Sequence, residues 1–178
     1  MPYATYAHNP TTGQVIPASW GDDVVANTNY LASTRPHCRA TRSANVAIAH
    51  NTWSSIPFTV ESYDVGGCHS TASDQSRFVV PSGEGGKYMA CAQAVWATNG
   101  TGRRLFRIFK NNATILAQVE LPLSSSESGG TVAFPAPVVL AAADYVELQV
   151  FQTSGGLLDI LFAADYSPVF GFWWVATT

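Results

Sequence analysis

Charged side chains are scarce in this sequence. Asp, Glu, Lys and Arg make up 12% of its 178 residues, while 47% are hydrophobic. A globular domain usually carries about twice that share of charge. A monomer so poor in charge leaves much apolar surface facing water, and burial between subunits is the simplest remedy. Basic excess is also missing: a net charge of −3 and a pI of 5.7 argue against binding nucleic acid through its phosphates. The longest apolar runs lie around Val138–Ala143 and Val169–Ala176. Both fall far short of the roughly 20 residues of a membrane-spanning helix, so no membrane insertion is expected. The opening residues, MPYATYAHNP, lack the basic start and apolar core of a secretory leader. The expectation is a protein made in the cytoplasm, whatever its destination.

Signatures of catalysis are equally sparse. Cys38, Cys68 and Cys91 are an odd set with no metal-ligand spacing and read as reduced, partly buried thiols. His8, His37, His50 and His69 are scattered, none at i, i+4 from another ligand. Cys68 and His69 are neighbours that would point to opposite faces of a strand, which argues against a nucleophile–base pair. No Gly-x-Ser-x-Gly elbow and no tight carboxylate cluster occurs. Gly83–Lys87 looks like a phosphate-binding loop, but Pro81 stands at its first glycine and Tyr88 at its Mg²⁺-binding hydroxyl. No catalytic residue, metal ligand or cofactor is therefore expected.

What is present is a β pattern organised around Arg77–Lys110. Phe78–Val80 is a short strand closed by Pro81, and Ser82–Gly86 is a turn. Tyr88–Trp96 is a long strand, Asn99-Gly100 with Gly102 reads as a hairpin turn, and Arg103–Lys110 is the returning strand. Thr114–Leu123 alternates Ile115, Ala117, Val119 and Leu121 against Leu116, Gln118 and Glu120. Pro135 and Pro137 make Thr131–Leu140 an edge or bent strand. Val146, Leu148 and Val150 share a face. Leu157–Phe162 follows a Gly155-Gly156 turn, and Val169–Val175 is apolar on both sides. The one helix predicted runs from about Trp20 to Leu31, capped by Ser19, with Asp22 and Asp23 in its first turn. Trp20, Val24, Asn27 and Leu31 fall on one face. Thr34–Ser43, with Arg35, Arg39 and Arg42, reads as a solvated first strand or linker.

Several motifs occur in an order that resembles a known head domain. They are Ile56-Pro57-Phe58, Tyr63-Asp64-x-Gly66-Gly67, Phe78-x-Val80-Pro81, Gly86-Lys87-Tyr88, Phe109-Lys110-Asn111, Ala143-Asp144-Tyr145-Val146 and Ser167-Pro168-Val169-Phe170-Gly171-Phe172. From about Asn45 onward the chain is similar to the globular head of complement component one-q, one of the tumour-necrosis-factor-like trimeric jelly rolls. It departs from that pattern at Ala143, where the family has glycine, and at Ala90 and Ala92, where aromatics are common. More loosely, Pro10–Leu31 resembles the N-terminal attachment segments of phage and prophage structural proteins.

The resemblance implies an all-β, antiparallel jelly-roll sandwich over 36–178 with a short N-terminal arm and one helix over 1–35. It implies a homotrimer, and the doubly apolar strands nominate Leu105, Phe109, Phe170, Phe172 and Trp174 as its interface. Attachment to another virion protein would use Trp20, Val24 and Leu31. Contact with a host-surface glycan or protein falls to loops rich in small polar residues, through Asn99, Thr101, Ser125, Ser126 and Thr153. By analogy a calcium role for Asp64 or Asp144 is conceivable. The expected function is a non-enzymatic virion structural protein, as capsid decoration, head fibre or tail-fibre tip. The second reading is a tail-associated carbohydrate-degrading enzyme on the same scaffold.

Overall fold

The computed structural model describes residues 18–121, 136–163 and 168–178. The chain divides into two units, residues 1–35 and 36–178, and each is treated by itself. In the first, α1 (Ala18–Asn29) widens into a π-helical turn over Tyr30–Thr34. The helix has already begun at Ala18, so Ser19 lies inside it and is not its cap, and Asp22 and Asp23 lie beyond the first turn. The hydroxyls of Thr28, Ser33 and Thr34 each donate to the carbonyl four residues back. Such bonds draw carbonyls off the helical ladder and bend helices, which fits the widened turn. Trp20 and Leu31 are exposed, Val24 is half-buried, and Asn27 is the buried member of the face.

The second unit is built from β1 (His37–Thr41), β2 (Val46–Ile48), β3 (Ser54–Ser55), β4 (Val60–Val65), β5 (Arg77–Val79) and β6 (Gly86–Gln93). There follow β7 (Arg104–Lys110), β8 (Thr114–Leu121), β9 (Ala136–Leu140), β10 (Tyr145–Gln152), β11 (Leu158–Ile160) and β12 (Val169–Ala176). One sheet has the order β4-β1-β12-β6-β9. The other has β3-β10-β7-β8, with β5 also on β10, and β11 pairs with β2. The fold is the antiparallel jelly-roll sandwich expected from the sequence.

Between the sheets lies an aromatic core. Phe78 stacks on Phe170 with centroids 4.1 Å apart, Tyr88 stacks on Phe172 at 4.6 Å, and Phe58 meets Phe170 edge-on at 5.9 Å. All of these rings are fully buried in the single chain. Removing one such ring typically costs about 3–5 kcal/mol, a large share of a domain's stability.

Three local expectations need correction. Asn99–Gly102 does not close a hairpin: β6 pairs with β12 and β9, while β7 pairs with β10 and β8, so the turn carries the chain between sheets. The β1 segment is not a solvated strand or linker, because it lies between β4 and β12 with Cys38 and Ala40 fully buried. In β8 the alternation breaks where the register jumps from Ala117 opposite Ile108 to Ile115 opposite Phe109. The bulge leaves Ile115 about half exposed and packs Leu116 against the core.

Candidate interaction surface

The outer face of the first sheet follows from register. His37, Trp173, Met89 and Pro137 form one row across β1, β12, β6 and β9; Arg39, Gly171 and Cys91 form the next, with Tyr63 of β4 at its end. Their alternates Cys38, Phe172 and Ala90 belong to the core, so these rows point outward. The indole of Trp173 lies along the strand over Gly171, where a Cβ would come 2.0 Å from its Cη2. Its Nε1 donates to the Tyr63 hydroxyl at 3.2 Å, and Tyr63 packs on His37 with centroids 5.5 Å apart. Val175 and Val139 stand 51% and 60% exposed nearby. Arg39 and Lys87 bring the formal charge to this face, and among the described residues no carboxylate stands in these rows. The result is a flat, apolar, hydrogen-bond-tied surface facing solvent in the single chain.

The residues expected at the interface lie elsewhere in the single chain. Phe170 and Phe172 have no surface left to offer a second copy, since both are wholly inside the sandwich. Trp174 is half-buried and packs against the core beside Gly86. Leu105 and Phe109 lie on the outer face of the second sheet but are only 6% and 8% exposed. The Arg107 guanidinium covers Phe109 at 4.0 Å and Trp53 at 3.9 Å, and it bonds Gln149 through Nε and Nη2. Around Phe109 and Trp53 that face is covered by its own chain, while Ile115 beside them stays half exposed. On β12 the open side belongs instead to Val169, Trp173 and Val175, one residue out of step with the expectation. Hydrophobicity does not separate the two faces of a strand that is apolar on both, and a one-residue slip exchanges them.

The loop residues are partly gathered. Asn99 Oδ1 accepts from the Thr101 amide, making a local turn, and the Arg103 amide donates to Thr153 Oγ1 at 2.8 Å. Loops 98–102 and 153–156 thus adjoin, with the Thr153 hydroxyl accepting from the scaffold. Beneath them Arg104, only 3% exposed, donates to the carbonyls of Thr101, Arg103 and Asn99. Burial draws its guanidinium below the ordinary arginine value. No sequence pattern singled out Arg104. Ser125 and Ser126 lie outside the described residues.

The acidic residues are engaged. Asp64 accepts the amides of Cys68 and His69, as a turn-shaping aspartate should. Asp144 accepts from Lys110 Nζ, Asn111 Nδ2 and the Ala141 amide, so an ammonium occupies the space a cation would need. Neither arrangement favours calcium. The His69 ring stacks on Phe78 and has Nδ1 2.9 Å from Glu61 Oε1 and Nε2 3.0 Å from the Gln75 carbonyl. A shallow pocket of about 150 Å³ opens here, lined by Cys68, His69, Ser70, Asp74, Arg77 and Val79. It is about half the volume at which ligand clefts begin. Among the described residues no helix is long and apolar enough to cross a membrane.

No family model and no curated protein matches the sequence. Among solved structures, the chain is similar to the globular domain of zebrafish complement 1qA protein, with TM-score 0.56, 16% identity, 81% of this chain and 100% of that one. It is similar to murine APRIL, with TM-score 0.57, 7% identity and coverage of 78% and 98%. The PRD1 vertex protein P5 also matches, with TM-score 0.57, 16% identity and coverage of 81% and 99%. At these identities the likeness concerns the fold. Over about four-fifths of its length the chain is similar in fold to these jelly rolls.

Proposed function

We propose that this protein is a non-enzymatic structural component of a virus particle, a homotrimer of jelly-roll heads held to the particle through residues 1–35. The observation that carries the reading is the apolar outer face around Trp173. A soluble domain with so little charge does not keep such a face wet, and copies of the same chain are the partner always at hand. The similarity to a vertex protein supports a place on a particle, as does the exposed Trp20 and Leu31 face of α1. Capsid decoration, head fibre and tail-fibre tip all fit. A host-surface glycan or protein would be met by Asn99 and Thr101. Loops without Trp or Tyr bind weakly per copy and rely on threefold avidity.

Sedimentation equilibrium tests the assembly. Three chain masses are expected, and a concentration-independent mass of one chain would sink the proposal. A chain lacking residues 1–35 should still form the trimer yet fail to join its particle. Loss of the trimer in that truncation would make the helix part of the head's assembly instead.

A further inference from the structure

Cys38 and Cys68 are both fully buried, and nothing in their sequence spacing marks them as partners. The fold brings them together by a chain of local causes. Cys38 faces the core from β1, and the residue opposite it in register on β4 is Asp64. Gly66 and Gly67 then turn the chain with φ of +99° and +72°, a conformation that glycine adopts without strain. The Asp64 carboxylate holds the returning segment by accepting the amides of Cys68 at 2.9 Å and His69 at 3.0 Å. The Cys38 and Cys68 sulfurs and an Asp64 carboxylate oxygen consequently lie within 4.8 Å of one another. Each Asp64 oxygen is already engaged by a backbone amide, and a structural metal centre takes four protein ligands. Two buried thiols side by side are left.

We propose that Cys38 and Cys68 are a disulfide pair that forms once the protein meets an oxidising medium. The bond would join β1 to the segment between β4 and β5, closing a covalent loop at the third residue beyond the arm. The chemistry balances as two exchanges with a low-molecular-weight disulfide. A thiolate of one cysteine displaces one thiol and forms a mixed disulfide. The second cysteine, deprotonated, then displaces the other thiol as the Cys38–Cys68 bond closes. Hydrogen bonding to Cys68, burial, and the nearby Asp64 and Glu61 charges all push the Cys38 thiol up. The closed fold therefore resists attack, and the bond forms while the 66–76 segment is open. A force applied through residues 1–35 reaches β1 first, and the bond would spread that force into the β4–β5 segment. The inference stands on the fold alone and does not depend on the virion reading.

The test uses the full wild-type chain, incubated with oxidised glutathione in urea just below its unfolding transition and then returned to buffer. Intact mass after alkylation should show two of three thiols lost, and peptide mapping should join Cys38 to Cys68. The oxidised protein should melt roughly 5–10 °C above the reduced one, as expected for a closed loop of about 30 residues. A reducing agent should return it to the starting Tm. A link involving Cys91, no link at all, or one equivalent of zinc released when the thiols are titrated would each overturn the proposal.

Discussion

Trp173 lies flat on Gly171, so close that a single methyl group there would sit 2.0 Å from the indole. The glycine is what lets a large aromatic join a flat surface without standing off it. Its neighbour Phe172 faces the opposite way and is fully buried. Adjacent residues on one strand thus serve different tasks. Trp173→Arg should shift the sedimentation mass from three chains to one while leaving the far-ultraviolet circular dichroism unchanged. Phe172→Ala should instead cost the fold about 3–5 kcal/mol in urea denaturation and give aggregated protein. Equal effects from the two substitutions would contradict the assignment of faces.

Gly102 has φ +79°, and a Cβ there would meet the Thr153 carbonyl oxygen at 1.8 Å. Both the left-handed backbone and the collision oppose a side chain. Gly102→Ala should destabilise the head by about 2–4 kcal/mol, read from the urea midpoint at constant slope. A change below about 1 kcal/mol would mean that the two loops separate freely.

Ala143 adopts φ +68°, in the region where alanine is strained and glycine is not. Its amide donates to the Val80 carbonyl at 3.0 Å, which fixes the turn into β10. Ala143→Gly should raise stability by about 0.5–1 kcal/mol, the strain relieved exceeding the added chain entropy. A fall in the melting temperature would count against this reading of the turn.

Asp144 gives the head a dependence on acid. Burial raises its carboxyl, but bonds from Lys110, Asn111 and the Ala141 amide together outweigh that and hold it below the ordinary 3.8. A carboxyl depressed in the fold binds its proton less readily when folded than when unfolded. Its contribution is therefore complete above the unfolded value and is lost as pH falls through the folded one. Urea midpoints should fall below about pH 4. Asp144→Asn should cost about 1 kcal/mol at pH 7 and reduce the slope of that fall. An unchanged acid profile would remove this cluster from the pH dependence.

Much of this architecture was legible in the residues because alternation, proline and glycine act locally. Val146, Leu148 and Val150 announced β10, and Pro135 with Pro137 announced an edge or bent strand. Other features depend on residues distant in sequence. The face of β12 turned outward is decided by which sheet covers it, so Phe170 and Phe172 were exchanged with Val169 and Trp173. Asn99-Gly100 has the chemistry of a hairpin turn, but strand pairing is set by partners such as β12, some 70 residues later. The burial of Arg104 left no trace, because a lone arginine beside Arg103 reads as surface until three carbonyls converge on it.

Pro137 stands in β9, at one margin of the first sheet, opposite Met89. A proline in such a strand turns its donorless nitrogen toward the solvent side. A further strand approaching that margin meets a gap in the ladder and a stiffened bend. Growth of the sheet from copy to copy, the route to fibres, is thereby discouraged. One imino acid at this margin thus works against an endless ribbon there, in keeping with the closed trimer proposed above.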